Sequence, residues 1–380
     1  MATLILSCNT GEGHNSCAQA IKEYYEAMGD MCDCVDALEF ISSAASEFIS
    51  RGHSFVYRYI PWLFKHGYSF AEEHPGFFQD GSSVYQFLTQ GSERMYEYIC
   101  SGGYEAVICV HPFTAFMLTD MLEKHPMKLT TCFVSTDYTC SPGTKSSNLD
   151  YYFIPDAALT DEFQSETITR DKVISGGIPV RQMFCVSNPE EKAKRSAGVQ
   201  PGHKHLLVMG GSMGCGPMKK LIYELAERLS PEWEMTVICG RNDKLFQKLD
   251  KKYRDYENVH IRGFVEDMGM MMDSADLYLT KPGGASVSEA LMKNLPMVFV
   301  DAVAGCEEYN LFYFVEKNAA ETGESVQEIT NACLRLMENE EYRLTMKNNL
   351  KTIPRKDVAK LIYQTMKQLE NDNHPADSSV

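Results

Sequence analysis

A histidine follows a short glycine-containing turn near the start of the chain. The apolar run Leu4–Cys8 leads into Gly11-Glu12-Gly13-His14, and a helix is predicted from residue 15 or 16 to about residue 28. The positive end of a helix dipole disfavours the imidazolium, so a histidine held there remains neutral and basic. A general base near pH 7 requires this state. His14 is therefore the candidate catalytic base, and the alternative is a histidine that only caps the turn.

A second glycine turn has the features of a diphosphate site. Leu279–Ala290 reads as a buried strand that ends at two glycines, followed by a helix that begins near Ser286. Unpaired N–H groups and a positive helix end accept an anion there without a clash from Cβ atoms. The candidate residues are Pro282, Gly283, Gly284, Ala285 and Ser286 for the diphosphate and Glu289 for ribose hydroxyls. The alternative is an ordinary turn whose glycines only let the chain bend.

Another glycine-rich segment follows the predicted strand 205–209. Gly211-Ser212-Met213-Gly214 precedes a helix predicted over Met218–Leu229. The segment is not a P-loop, because Gly216 is followed by Pro217 instead of lysine. It remains a candidate anion site made of backbone amides beside a helix start.

Further donor-binding candidates lie at the ends of other predicted strands of the second half. Arg241 follows strand 235–239, and the backbone of Gly263-Phe264-Val265 could pair with the edge of a base. Strand 296–300 leads to Gly305, Cys306, Glu307 and Asn310, where a carboxylate can hold the hydroxyls of a sugar. The alternative for these acids is an ordinary acidic helix start facing solvent.

Candidates for the acceptor side lie in the first half. His111 follows strand 106–110, and Asp137 and Tyr138 follow strand 131–135, where open α/β sheets bind ligands. Trp62 lies in the aromatic and locally basic segment 39–78. Such a segment suits lipid headgroups or the mouth of an acceptor pocket. It could equally pack as short helices over the first sheet.

The elements that must position these residues alternate between strand and helix, which predicts an α/β fold with two doubly wound parallel sheets. A chain of 380 residues exceeds one usual core, so two domains are expected. The predicted boundaries are residues 1–187 for the first domain, 188–204 for a linker and 205–354 for the second. A helix over about 355–370 is expected to pack on the first domain, and 371–380 to form a loose tail.

Composition narrows the class of partner. The net charge of -16 argues against nucleic acid as the main partner. Thirteen cysteines without a C-x-x-C pair predict neither a zinc site nor a disulfide framework. The first residues lack the features of a signal peptide, and no apolar run reaches about 20 residues. We expect a reduced, cytoplasmic protein with at most peripheral membrane contact.

Taken together, the motifs resemble one enzyme family. Gly11-Glu12-Gly13-His14, Gly176–Arg181, Gly210–Gly214, Thr280–Gly284 with Glu289, and Glu307 with Asn310 occur in this order. The chain resembles glycosyltransferase family 28, in particular monogalactosyldiacylglycerol synthases and processive diacylglycerol glucosyltransferases. The resemblance implies a GT-B fold, in which two Rossmann-like domains face a cleft, and a UDP-sugar donor on the second domain. It also implies direct inverting transfer without a metal or other cofactor.

The resemblance assigns roles to residues. His14 matches the family's base, Glu289 the acid that binds ribose and Glu307 the contact to the donor sugar, and Gly13 is added to the donor site. The aromatic segment matches the region that meets diacylglycerol and the membrane. The resulting hypothesis is hexose transfer from UDP to a lipid hydroxyl, at the anionic inner face of the cell membrane. A transferase for soluble acceptors, a UDP-N-acetylglucosamine 2-epimerase and a non-catalytic nucleotide-sugar sensor remain alternatives.

Overall fold

The computed structural model of the chain describes residues 2–8, 12–42, 70, 73–78, 81–210, 217–300, 302 and 305–373. The polypeptide forms two compact units. Unit 1 comprises Met1–Gln182, Ala304–Cys306 and Pro354–Val380, and unit 2 comprises Met183–Val303 and Glu307–Ile353. Each unit has one sheet of six parallel strands.

The sheet of unit 1 has the strand order β2-β1-β3-β4-β5-β6. Its strands are β1 (Thr3–Ser7), β2 (Cys32–Asp36), β3 (Ala106–Cys109), β4 (Thr130–Val134), β5 (Tyr151–Ile154) and β6 (Val173–Ser175). Leu4, Ile5 and Leu6 of β1 are all fully buried, as expected of a central parallel strand covered on both faces. The strand order reverses between β1 and β3, which makes the loops after these two strands the usual ligand position of such a sheet.

The sheet of unit 2 has the order β12-β11-β10-β7-β8-β9. Its strands are β7 (Lys204–Met209), β8 (Trp233–Ile238), β9 (Val259–Arg262), β10 (Leu277–Thr280), β11 (Met297–Phe299) and β12 (Ala320–Glu321). Here the order reverses between β7 and β10. The turn after β10 contains the two glycines of the predicted diphosphate site.

Helices connect the strands in both units. In chain order they are α1 (Glu12–Ala27), α2 (Leu38–Ile41), α3 (Ser83–Leu88), α4 (Ser92–Gly102), α5 (Pro112–Lys124), α6 (Thr160–Phe163), α7 (Gln182–Cys185), α8 (Glu190–Ala197), α9 (Met218–Arg228), α10 (Asp243–Tyr253), α11 (Met268–Asp273), α12 (Gly284–Met292), α13 (Cys306–Glu316), α14 (Val326–Glu338), α15 (Glu340–Leu350) and α16 (Val358–Asn373). Short 3₁₀ turns lie at Pro75–Phe78, Thr89–Gly91, Thr144–Ser146, Ala157–Leu159 and Arg170–Lys172. None of the helices within the described ranges is long and apolar enough to span a membrane.

Helix α16 returns to unit 1, where it packs on α1 and β4. The hydroxyl of Tyr363 donates to the carboxylate of Asp30 at 2.7 Å, and the Lys367 ammonium lies 3.2 Å from the same group. Ile362 and Met366 of α16 are fully buried. The carboxyl-terminal helix thus belongs to the core of unit 1.

The segment predicted as a linker, 188–204, is an ordered part of unit 2. It contains α8, which packs on α11. The backbone N–H and side-chain amide of Asn188 both donate to Asp273, at 3.0 and 2.8 Å. The charged composition of α8 suggested a linker, but Glu190 and Glu191 in its first turn and Arg195 in its last turn are favourable helix-end charges.

Candidate functional site

His14 lies in the first turn of α1, two residues after the start of the helix at Glu12. The predicted start at residue 15 or 16 was therefore too late, and Gly13 is part of the helix. The Nδ1 atom of His14 lies 2.8 Å from the carbonyl oxygen of Val110. A carbonyl only accepts, so Nδ1 carries the proton and Nε2 retains the basic lone pair. Burial lowers the pKa of His14, which keeps the ring neutral at pH 7.

His111 lies next to His14, as the order of β1 and β3 in the sheet requires. The two ring centroids are 4.6 Å apart, with the rings edge to face. His111 is the N-cap of α5, and its Nδ1 accepts the backbone N–H of Phe113 at 3.1 Å. The Nδ1 lone pair of His111 is thus engaged, and the ring hydrogen of the neutral form is on Nε2.

The loop after β4 brings two more polar side chains to His14. The Oγ1 atom of Thr136 lies 3.0 Å from Nδ1 of His14 and 3.3 Å from Oδ2 of Asp137. Thr136 and Asp137 are both buried, at 8% exposure. Of this pair only Asp137 was a predicted site residue. Thr136 could have been predicted as well, because it follows the carboxyl end of a parallel strand, where such sheets bind ligands.

Two further residues, Tyr138 and Trp62, were predicted for the acceptor side. Tyr138 follows Asp137 in the same loop and is buried, at 2% exposure. Its assignment to the acceptor side remains a prediction. Trp62 lies outside the described residues.

The glycine turn of unit 2 leads directly into α12. Gly283 is the N-cap of α12, without a side chain that caps the helix, and Gly284 is the first helical residue. The predicted start near Ser286 was two residues late. Gly283 has φ -71° and ψ 135°, a conformation open to any residue. The chain could therefore bend in the same way with another residue at position 283. This favours a glycine that lets a ligand approach closely over a glycine that only forms a turn.

Glu307, one of the residues predicted for the donor site, lies against this turn. A Cβ atom placed on Gly283 would be 3.9 Å from Oε1 of Glu307. The carboxylate belongs to the first turn of α13 and is half-buried. Glu289 is also half-buried, in the second turn of α12, and Ala285 and Ser286 complete the first turn of that helix.

Asn310, also predicted for the donor site, makes a hydrogen bond to the glycine turn. Its side chain is 0% exposed, and its amide donates to the carbonyl of Pro282 at 2.9 Å. The side chain is thus bonded to the glycine turn, and its assignment as a direct donor contact remains a prediction. Asn310 therefore positions the turn that would bind a donor. Gly305, at φ +91°, makes the left-handed bend before α13, and the half-buried Cys306 begins that helix.

Arg241 and Phe264 come together on the surface of unit 2. The guanidinium carbon of Arg241 lies 5.6 Å from the centroid of the Phe264 ring, and that residue is 64% exposed. Gly263 lies beside the carbonyl of Gly240, and Val265 is half-buried. An exposed ring with a cation over it offers a flat face to a base. The predicted anion site Gly211, Ser212, Met213 and Gly214 lies outside the described residues.

The described residues contain no group of three or more His, Cys, Asp or Glu side chains that could hold a metal ion.

Two Rossmann-like units are the architecture of the GT-B glycosyltransferases. The MurG protein of Acinetobacter baumannii superposes with a TM-score of 0.62 and 12% identity, over 97% of this chain and 100% of MurG. The predicted GT-B fold is thus confirmed.

Two family models match the two halves of the sequence. Residues 14–180 match the model described as monogalactosyldiacylglycerol (MGDG) synthase, and residues 205–362 match the glycosyltransferase family 28 C-terminal domain. The chain belongs to glycosyltransferase family 28, with an amino-terminal half of the monogalactosyldiacylglycerol synthase type. The resemblance seen in the motifs is confirmed.

Individual relatives are similar to different extents. The processive diacylglycerol beta-glucosyltransferase of Staphylococcus saprophyticus is 31% identical over 232 residues, which are 59% of this chain and 59% of the relative. The match thus spans less than two thirds of that relative's length. The processive diacylglycerol beta-glucosyltransferase of Bacillus pumilus is 24% identical over 371 residues, 95% of this chain and 93% of the relative.

Proposed function

We propose that the protein transfers a hexose from a UDP-sugar to a hydroxyl of a diacylglycerol-type lipid, with inversion and without a metal ion. The observation that carries this proposal is the bond between Nδ1 of His14 and the carbonyl of Val110. That bond fixes the ring as the tautomer whose Nε2 atom accepts a proton. The lowered pKa of His14 keeps this atom unprotonated at pH 7.

The glycine turn of unit 2 supports a nucleotide diphosphate as the donor. The first-turn N–H groups of α12 have no side-chain cap at Gly283, and the helix dipole adds positive potential there. Glu307 lies beside Gly283, at the position where a carboxylate can accept bonds from sugar hydroxyls. Glu289 is assigned to the ribose, and the exposed Phe264 ring with Arg241 to the base.

The transfer is a single displacement. The acceptor O–H loses its proton to Nε2 of His14 while the oxygen bonds to the anomeric carbon. The bond from that carbon to the β-phosphate oxygen breaks, and UDP leaves with the electron pair, so the configuration inverts. Backbone amides of α12 stabilise the charge that develops on UDP, which is a large electrostatic contribution in many enzymes. In this proposal they do so without a divalent cation, and activity persists in EDTA.

A lipid acceptor is supported by the relatives, which are named as diacylglycerol glucosyltransferases. The aromatic and basic segment 39–78 adds a region of suitable composition for an anionic membrane surface. We propose that the protein acts there as a peripheral enzyme at the inner face of the cell membrane. Flotation with anionic and with zwitterionic vesicles tests this part, because electrostatic binding requires the anionic lipid and weakens with salt.

The test of the reaction is an acceptor and donor panel. The purified protein is incubated with UDP-glucose, UDP-galactose or UDP-N-acetylglucosamine and with diacylglycerol in mixed micelles, and products are identified by mass spectrometry and by the anomeric signals in NMR. We expect one donor to give a glycosyl-diacylglycerol of inverted configuration, with equal yield in EDTA. A product of retained configuration, or dependence on a divalent ion, would overturn the mechanism.

The same panel separates the alternatives. Incubation with UDP-sugar alone would yield an epimerised sugar or free UDP from an epimerase. Glycosylation of water-soluble alcohols, with none of diacylglycerol, would identify a transferase for soluble acceptors. UDP binding without any product in every combination would indicate a sensor, and each of these three results contradicts the proposed function.

A further inference from the structure

A line of hydrogen-bonded polar atoms leads away from His14, the proposed base, on the side of its Nδ1 atom. It begins at Nδ1 of His14, continues to Oγ1 of Thr136 at 3.0 Å and ends at Oδ2 of Asp137 at 3.3 Å. These residues come from α1 and from the loop after β4, more than 120 positions apart in sequence. Their contact therefore depends on the fold of unit 1 and not on a local turn.

The direction of each hydrogen bond follows from the fixed proton. Nδ1 donates to the carbonyl of Val110, so it has no lone pair with which to accept the Thr136 hydroxyl. Oγ1 of Thr136 must therefore act as a second acceptor for the same N–H. Its own hydrogen is then free to point to the carboxylate of Asp137, which accepts.

We propose that Thr136 is a positioning residue that couples the buried carboxylate of Asp137 to the catalytic base, an inference that rests on the proposed function of His14. The proton stays on Nδ1 throughout the reaction. When Nε2 takes the proton of the acceptor, the positive charge of the imidazolium is stabilised by Oγ1, whose oxygen is polarised by donating to a carboxylate. Thr136 thereby makes His14 a stronger base than burial alone would allow.

Two other titratable groups, His111 and Cys17, lie beside this line. The imidazole of His111, from the start of α5, accepts the N–H of Phe113 through Nδ1 while its ring packs against His14. Cys17 of α1 lies near Asp137, and burial with the Asp137 charge raises its pKa well above the usual range of a thiol. In this proposal the carboxylate of Asp137 acts on His14 through the hydroxyl of Thr136.

The test compares Thr136→Val, which keeps the size but removes the hydroxyl, with Thr136→Ser, which keeps the hydroxyl. The Val variant is expected to lose about 10- to 100-fold in kcat, a part of the 10²–10⁴ that a general base contributes. The affinity for UDP stays within about twofold, because no part of the line belongs to the donor site. Thr136→Ser retains most of the activity. Asp137→Asn is expected to resemble the Val variant.

The pH profile separates coupling from a loss of packing. Without the coupling the pKa of His14 falls further, so in Thr136→Val the acid limb of kcat/KM moves to lower pH while the plateau also falls. A wild-type plateau and limb in Thr136→Val, or equal losses in the Val and Ser variants, would overturn the inference. Circular dichroism confirms that each variant is folded.

His14→Ala distinguishes this inference from the proposed function itself. If His14→Ala keeps full activity, the base assignment fails and the role of Thr136 fails with it. If His14→Ala is inactive while Thr136→Val is normal, only the coupling through Thr136 is refuted. Both variants are measured with the same donor and with diacylglycerol in the same micelles.

Discussion

The carboxylate of Glu307 lies against the backbone of Gly283, 3.9 Å from the point that a Cβ atom at residue 283 would occupy. That separation is ordinary van der Waals contact, so the fold leaves room for a methyl group there. The backbone angles at Gly283 also suit any residue. The fold itself therefore does not require glycine at residue 283, which agrees with the proposed donor site at this turn. Gly305 differs, because its φ of +91° favours glycine.

Replacing these two glycines by alanine should affect different properties: UDP binding at residue 283 and stability at residue 305. Gly283→Ala should change the free energy of unfolding by less than about 0.5 kcal/mol but weaken UDP binding about tenfold or more, which corresponds to about 1.4 kcal/mol. Gly305→Ala should destabilise the protein by about 1–2 kcal/mol, because a side chain is strained at positive φ. Calorimetric UDP titration and urea unfolding measure both quantities. Wild-type UDP affinity in Gly283→Ala would remove the glycine turn from the donor site.

The amide of Asn310 gives the same turn its support. Asn310→Ala leaves the buried carbonyl of Pro282 without this donor, which costs about 1–3 kcal/mol. We expect a loss of stability of that size and a weaker affinity for UDP, since the turn is no longer held. Asn331→Ala is the matched control, because Asn331 accepts from Arg228 at an exposed position. Equal effects of the two substitutions on unfolding in urea would contradict the role given to Asn310.

The base is tested by its removal and by its pH dependence. His14→Ala should lower kcat by about 10²–10⁴ while UDP affinity changes little. Burial lowers the pKa of His14 below 6.5, so the neutral form persists at pH 7 and kcat/KM should fall only below that value, with a slope of one proton. His125→Ala is a surface control, since His125 pairs with Glu93 away from the catalytic cluster. An acid limb of kcat/KM whose midpoint lies above 6.5, or unchanged kcat in His14→Ala, would contradict this assignment.

Much of the fold could be predicted from sequence because parallel strands buried on both faces are short apolar runs. The strands predicted over 106–110 and 131–135 are β3 (Ala106–Cys109) and β4 (Thr130–Val134), with ends that differ by one residue. Strand β2 was missed, because its alternating Cys-Asp-Cys pattern at the sheet edge lacks such a run. Helix starts at glycines were placed two to four residues late, since glycine reads as a turn whether or not the helix has begun.

The candidate site was predictable only in part. His14, His111 and Asp137 were singled out because each follows a predicted strand or turn. The sequence did not show that Thr136 lies between His14 and Asp137. That contact depends on the order of strands in the sheet and on the path of the loop after β4. The buried position of Asn310 was also not predictable, because an acidic helix start looks the same whether its later side chains face a ligand or the turn behind it.

A last prediction concerns a second histidine, at the opposite end of the strands of unit 2. His205 of β7 is fully buried between the hydroxyls of Ser274 and Thr236, at 3.0 and 2.8 Å. Burial lowers its pKa to about 4. In the unfolded chain His205 binds a proton with a pKa near 6.5, whereas in the folded chain it does so only near pH 4. Stability is therefore lost as the pH falls from 6.5 towards 4.

Between pH 7 and pH 5 this group alone should remove about 2 kcal/mol of stability from unit 2. The measurement is urea unfolding of a Trp62→Phe background at both pH values, in which Trp233 on β8 is the remaining tryptophan of the chain. His205→Gln cannot titrate, so its stability should depend on pH less steeply by the same amount, whatever its stability at pH 7. If the background and the Gln variant lose equal stability over this range, His205 is not the group that makes unit 2 sensitive to acid.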